Sequence, residues 1–235
     1  MNWGLLAKAD AVHPPHVDRP GTCTWVAIED GLKKWDIAFP PRETEEEEIA
    51  NPAAYAGEMA DGRNYARGWN WYSVLLYPGS MLFMRPGTVH SVTTLQDCIA
   101  LGGHFFSEPA IKHSVYSILH NFVGSHTITN VSMDNEQQML LRIVLFWHKT
   151  MCEGSSAYLN QIEQLGQDES IPHVPNVLIF EDFLNLAMLL NYAELVLVVT
   201  PARYSSPCLV SFSQTVYQLP RQRSREMRCW LLENL

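Results

Sequence analysis

Residues 16–41 read HVDRPGTCTWVAIEDGLKKWDIAFPP and residues 77–106 read YPGSMLFMRPGTVHSVTTLQDCIALGGHFF. Both stretches alternate apolar and polar residues in short runs rich in Trp, Val, Thr and Ile, broken by DRPG, EDG, PGS, PGT and LQD. Such breaks are turn signals between antiparallel strands. Counted outward from these stretches, from Asn2 to Phe39 and again up to Phe106, there are about eight strand-like segments. That number fits a closed or double-sheet β core. After Ser107 the spacing becomes helical: Ile111, Val115, Ile118, Leu119 and Phe122 share one face, Met139, Leu140, Ile143, Val144 and Trp147 another, and Val177 to Val199 forms a third apolar helix. The expected chain is therefore mainly β with C-terminal helices, a β core over 1–107 and a helical region over 108–235. The core is interrupted by an insertion at 42–71, rich in acidic residues, Gly, Asn and Ala. Thirty residues without periodicity are long for a connection. They read equally as a lid, with Tyr55, Tyr65, Trp69 and Trp71 available to a substrate, or as a disordered excursion.

Composition narrows the function classes. With 47% hydrophobic and 17% charged residues, the 235-residue chain is globular. Its net charge of −9 has the wrong sign for a broad phosphate-gripping face, so direct nucleic-acid binding is not expected. Four of the acidic residues form the run Glu45–Glu48. The five cysteines, Cys23, Cys98, Cys152, Cys208 and Cys229, contain no C-x-x-C pair, which argues against a disulfide framework and against a cysteine zinc site. The first residues show no signal-peptide pattern. Val177–Val199 carries Glu181, Asp182, Asn185, Asn191 and Glu194, too many polar groups for a membrane span. In the tail, Arg221, Arg223, Arg225 and Arg228 read as a solvated face rather than an anion-binding patch.

One cluster carries chemistry. In His16-Val17-Asp18 the imidazole and carboxylate are two residues apart, so on a strand they face the same side and converge on one metal ion. His90, in a later strand, completes a two-histidine, one-carboxylate triad. Such a set leaves coordination positions open, as a non-haem Fe(II) oxygenase needs. Alone the motif is weak, because nine His and nine Asp in this chain give about 0.3 copies of H-x-D by chance.

The text around the motif is more specific. H-x-D followed by G-T, then G-L-K-K-W and F-P-P, and later Y-P-G-S-M-L-F-M-R-P-G-T-V-H and G-G-H-F, resembles the Jumonji C (JmjC) family of Fe(II)- and 2-oxoglutarate-dependent oxygenases over Trp3 to Phe106. The wording M-R-P-G-T-x-H and G-G-H-F looks most like the fungal branch. The resemblance implies a double-stranded β-helix, a jelly-roll or cupin-like barrel, followed by a helical region. It also implies His16, Asp18 and His90 as iron ligands and Lys33 as the cation for the distal carboxylate of 2-oxoglutarate. A dianion chelating iron at one end needs a buried cation at the other. Several positions depart from the family pattern. His13 stands where many members have Thr and reads as a neighbour or surface residue, Val26 stands for Asn, and Gly102 and His104 stand for Thr and Asn. Thr22 and Thr24 share the facing of His16 and Asp18 and are candidate replacements, as is His104. Fifteen residues precede His16, enough for one core strand around Trp3–Leu6, so the expected barrel is short at its front.

The function implied by the resemblance is a dioxygenase using Fe(II), 2-oxoglutarate and O₂ to hydroxylate or demethylate a protein side chain. Its substrate would be a protein or peptide. Glu45–Glu48 would attract a basic tail such as a histone's, or serve only as a solvated loop. The alternative is a catalytically inactive JmjC-like binding or scaffold protein, with the helices after Ser107 forming a homodimer interface. A cupin-type metal enzyme without 2-oxoglutarate is a third option, against which Lys33 argues. The expected location is intracellular, nuclear or cytoplasmic.

Overall fold

Strand conformation runs without a break from Cys23 to Phe39 and from Val89 to Phe105, so each stretch is one 17-residue strand. The computed structural model describes residues 2–39, 69–123, 134–199 and 207–235. Its strands are β1 (Asn2–Ala7), β2 (Val12–Val17), β3 (Cys23–Phe39), β4 (Asn70–Leu76), β5 (Met81–Met84) and β6 (Val89–Phe105), all paired antiparallel. β3 and β6 lie side by side along their lengths, Cys23 opposite Phe105 and Ala38 opposite Val89. The first half of β3 and the second half of β6 carry β5 and β1 on their outer edges, and the other halves carry β4 and β2. Two four-stranded ladders, β1-β6-β3-β5 and β2-β6-β3-β4, thus share the two long strands.

This corrects the sequence reading of EDG at 29–31 and LQD at 95–97 as turns, and it accounts for eight segments being counted where six strands form among the described residues. The long pair bends without ending. Its register slips between Ile28 and Lys33, where Gly31 takes φ 86° and a Cβ would stand 2.1 Å from the Asp97 carbonyl oxygen. Only glycine fits so close an approach at positive φ.

The period-2 pattern assigns the inner side. Val26, Ile28, Met84, Cys98 and Ala100 from one ladder join Trp35, Ile37, Leu76 and Val92 from the other in a single buried cluster, against which Trp3, Leu5 and Leu82 pack. The insertion expected at 42–71 lies outside the described residues as far as 68, and with it Tyr55, Tyr65 and Glu45–Glu48. Trp71 is the second residue of β4 and is exposed.

The chain divides into two compact units, Met1–Phe106 with Tyr116–Val131, and Ser107–Val115 with Ser132–Leu235. The helices are α1 (Ile111–Val123), split between the units, then α2 (Asp134–His148), α3 (Ser155–Leu165), α4 (Phe180–Val199) and α5 (Pro207–Asn234). The apolar faces read in α1 and α2 hold in part: Ile111, Val115, Ile118, Leu140, Val144 and Trp147 are buried, but Phe122 and Met139 are exposed, and Leu141 is buried in α2 instead. α3 and α5 were not legible in advance. The tail arginines do more than solvate a face, since Arg221 and Arg225 both donate to Glu194, Arg228 to Asn191 and Arg223 to Glu226. Ion pairs this exposed contribute little to stability. Buried Ser224, Met227 and Trp230 hold α5 in place. Among the described residues, Cys23, Cys98, Cys152 and Cys229 form no disulfide. Among the described residues no helix is long and apolar enough to cross a membrane.

One carboxyl in the helical unit makes its stability pH-dependent. Burial and then the neighbouring charge of Asp182 push Glu108 up to about 7, and among the described residues its Oε1 has no hydrogen-bond partner. A carboxyl whose pKa is raised on folding favours the folded state while protonated, and that advantage is lost as pH rises through about 7. Glu108→Gln is therefore expected to be nearly neutral at pH 4, below the ordinary carboxyl value of 4.5, and stabilising by about 1 kcal/mol at pH 8, discounted for partial exposure, as thermal melts at both pH values would read.

Candidate metal centre

β2 pairs with β6 so that His16 and His90 are direct cross-strand partners. A bulge between His13 and His16 sets that register, and the chain then carries Asp18 two residues beyond His16. The His16 and His90 ring centroids are 4.4 Å apart. Nε2 of His16 lies 3.7 Å, and Nε2 of His90 3.8 Å, from Oδ1 of Asp18. These ligand atoms all lie within 4.8 Å of one another, and among the described residues no other set of three His, Cys, Asp or Glu side chains converges so closely.

The tautomers follow from the backbone. Nδ1 of His16 is 2.8 Å from the Pro14 carbonyl and Nδ1 of His90 is 3.0 Å from the Thr88 carbonyl. A carbonyl only accepts, so both Nδ1 atoms carry a proton and Nε2 is the atom each ring turns to Asp18; at His16 it donates to the carboxylate while protonated, and loss of that proton frees a lone pair for an ion. Burial lowers the pKa of His90, and the Asp18 charge does not fully restore it. At His16 burial also opposes the charged form, but the hydrogen bonds to Asp18 and Pro14 outweigh it and raise the pKa. Burial pushes Asp18 up as well. The hydrogen bond from His16, the charge of His90 and the hydrogen bond from Thr24 overcome it and hold the carboxyl at about 2. Two imidazole nitrogens and one ionised carboxylate, each oriented by a second hydrogen bond, are a donor set that fits Fe(II) and leaves open positions.

The other sequence candidates fall around this set. Thr24 shares a hydrogen bond with Asp18, and its hydroxyl lies 3.1 Å from Nδ1 of His104, which stands opposite it on β6. Thr24 and His104 thus support the carboxylate. Thr22 turns elsewhere, donating its hydroxyl to the Arg19 carbonyl in the turn between Asp18 and β3. That turn is also held by Ser117, which accepts from the Gly21 amide. His13 is exposed and meets the His16 ring edge-on, outside the converging set. Val26 is buried in the apolar cluster. Gly102 lies beneath the Trp3 indole, where a Cβ would come within 2.1 Å of the ring.

Lys33 lies on the same inner face, one row beyond Trp35. Across the β2-β6-β3-β4 ladder the residues of this face form successive rows: Tyr72, Ile37, His90 and His16; then Val74, Trp35 and Val92; then Leu76, Lys33 and Thr94, with Tyr72 and Val74 exposed at the β4 edge. Lys33 is 2% exposed and donates to the Thr94 hydroxyl at 2.9 Å. Among the described residues no carboxylate pairs with it. Burial lowers its pKa, an effect that the nearby Cys98 thiol partly offsets. Lys34 faces the other way and pairs with Asp36 at 2.9 Å. A buried ammonium with no counter-charge is the structural feature that an anionic cosubstrate would complete. Thr94, which the sequence reading missed, had one signal: it lies four residues after His90 and therefore on the same face.

With this geometry in place, comparison with known proteins is informative. Over nearly half its length the chain is similar to JmjC histone demethylases. It is 26% identical over 118 residues to JmjC domain-containing histone demethylation protein 1 of Caenorhabditis elegans, covering 48% of this chain and 10% of that one. It is 25% identical over 111 residues to lysine-specific demethylase 7A of Homo sapiens, covering 45% and 11%. The chain thus spans about a tenth of the length of the curated relatives it matches. No protein-family model matches. These relatives are animal proteins and give no support to the fungal branch expected from the wording. A Bacillus subtilis oxalate decarboxylase shares 13% identity at a TM-score of 0.30, over 46% of this chain and 22% of that one, a likeness too low to carry an argument.

Proposed function

We propose that the chain is an Fe(II)- and 2-oxoglutarate-dependent dioxygenase of the JmjC type that hydroxylates or demethylates a protein side chain, built on a double-stranded β-helix. The observation that carries this reading is the convergence of His16, Asp18 and His90 on the same inner face as the buried, uncompensated Lys33. When bound, Fe(II) with 2-oxoglutarate and O₂ supplies the oxidation, giving succinate, CO₂ and a hydroxylated C–H position; a hydroxylated N-methyl group leaves as formaldehyde. The residues of the chain do the rest. His16, Asp18 and His90 hold the ion, Lys33 and Thr94 hold the far carboxylate, Thr24 and His104 orient Asp18, and Ile37, Trp35 and Val92 keep the intervening space dry.

The proposed substrate is a basic peptide such as a histone tail, on the acidic run Glu45–Glu48 and on the similarity to a histone demethylation protein and a lysine-specific demethylase. A nuclear location and a homodimer through the helices after Ser107 belong to the same proposal. A second reading, a non-catalytic JmjC-like module, draws on apolar Val26 and on Gly102 under Trp3, two inner positions that offer no side-chain polar contact to a cosubstrate.

Anaerobic addition of Fe(II) and then 2-oxoglutarate separates the two readings. The enzyme reading expects the visible charge-transfer absorption of the chelate, followed in air by Fe(II)-dependent succinate. Folded protein that shows neither with its metal loaded overturns it in favour of the second.

A further inference from the structure

The tetrapeptide Arg-Pro-Gly-Thr occurs twice, at 19–22 and at 85–88. The first copy follows Asp18 directly, and the second ends two residues before His90. Both fold the same way. Gly21 takes φ 78° and Gly87 φ 77°, the left-handed value that a type II turn needs at the position after its proline. In each turn the threonine amide donates to the arginine carbonyl, at 3.2 Å in the first and 3.3 Å in the second, and the threonine hydroxyl donates to that carbonyl at 2.8 Å. The second turn also orients a histidine, because the Thr88 carbonyl holds Nδ1 of His90 at 3.0 Å. One helix residue meets both turns. Ser117 of α1 is 7% exposed, and its hydroxyl accepts from the buried Gly21 amide at 3.1 Å. A Cβ built on Gly87 would stand 3.6 Å from the Ser117 Cβ, so the serine packs on that turn as well. Ser117 and the two turns belong to one compact unit.

We infer that Ser117 is a positioning residue for the metal centre: it fixes the turn at 19–22 against the turn at 85–88 and so holds the Asp18 carboxylate within reach of both histidines. The inference rests on the metal-dependent function proposed above. The three metal-facing residues do not depend on Ser117 equally. His16 and His90 are placed by cross-strand pairing, whereas Asp18 lies between the end of β2 and the start of β3, where among the described residues no ladder pairing holds it. Its place is set by the turn that follows. Without the serine hydroxyl the Gly21 amide is a buried donor with its acceptor removed, a cost that the turn escapes by shifting, and Asp18 shifts with it.

The test is made on the full chain. Ser117→Ala is expected to weaken Mn(II) binding about tenfold by calorimetry, the low end of what loss of an orienting partner costs. It is also expected to change the visible d–d absorption of the Co(II)-saturated protein, a signature that a loss of stability leaves alone. Ser114→Ala is the control. It removes a buried hydroxyl of the same helix that donates to the Ala110 carbonyl, and both readouts are expected to stay at their wild-type values. Wild-type affinity and spectrum in folded Ser117→Ala, or equal weakening in the two variants, overturns the assignment. Should Ser117→Ala not fold, the wild-type protein carries the test. Coupling is reciprocal, so opening of the bond between Gly21 and Ser117 becomes about tenfold rarer once metal is bound. Hydrogen exchange of the Gly21 amide is then about tenfold slower in the Zn(II)-loaded than in the metal-free protein, and equal exchange overturns the assignment. Wild-type protein that binds none of these ions sinks the function proposed above and this inference with it. Metal binding indifferent to Ser117 sinks only this inference.

Discussion

Asp18→Ala is expected to lower Mn(II) or Fe(II) affinity by more than about 100-fold, because loss of an orienting partner alone typically costs 10–100-fold and Asp18 is itself a donor. The geometry makes it the hub: its Oδ1 is the atom to which both Nε2 distances are 3.7–3.8 Å. Without it two neutral imidazoles remain, with no negative charge to offset the ion. Thermal melting reads the result independently of turnover. At a metal concentration of about 100 times Kd, binding stabilises the wild-type fold by about 2.7 kcal/mol, a shift of several degrees. The variant should show no metal-dependent shift while its metal-free melt remains cooperative. Asp18→Glu, with the charge kept on a longer arm, should retain part of the shift, and His13→Ala should retain all of it, because His13 is outside the converging set. Full metal-dependent stabilisation of Asp18→Ala would remove the carboxylate from the site.

The parts of this centre differ in how well the amino-acid text exposes them. Spacing on a strand is local, so His16 and Asp18 could be placed on one face from two residues, and Lys33 separated from Lys34 by alternation alone. Register is not local. That His90 stands directly opposite His16 follows from a bulge between His13 and His16, and Pro14-Pro15 does not announce where the pairing resumes. The continuity of β3 and β6 was hidden for a related reason. Gly31 and Leu95-Gln96-Asp97 carry turn chemistry, but each strand braces the other through the bend, so tertiary pairing overrides the local signal. Thr22 has the right facing, yet its hydroxyl finds the Arg19 carbonyl three residues back before it can reach the site. Helix α5 was missed because Pro220 and four arginines interrupt its apolar pattern, and its partner Glu194 lies on another helix.

Lys33→Met should act in two opposite directions, and the pair of effects identifies a ligand seat better than either would alone. An ammonium 2% exposed and lacking a carboxylate partner is a cost to the unliganded fold, tolerable only if something anionic is to arrive. Methionine of similar length removes the charge and fills the space, so the metal-loaded protein without cosubstrate should gain about 1–2 kcal/mol. The same variant should lose 2-oxoglutarate binding by about 100-fold or more, since the far carboxylate would enter the cavity with no counter-charge. The pH dependence gives a further check on sign. Burial lowers the Lys33 pKa from 10.5, so between the lowered value and 10.5 the unfolded chain binds more protons than the folded one. Wild-type stability therefore rises with pH through that window, and the advantage of Lys33→Met shrinks there. A surface lysine would show none of this. Lys33→Met that leaves both the melting temperature and the 2-oxoglutarate affinity unchanged would make the residue a bystander, and the enzyme reading would lose its second support.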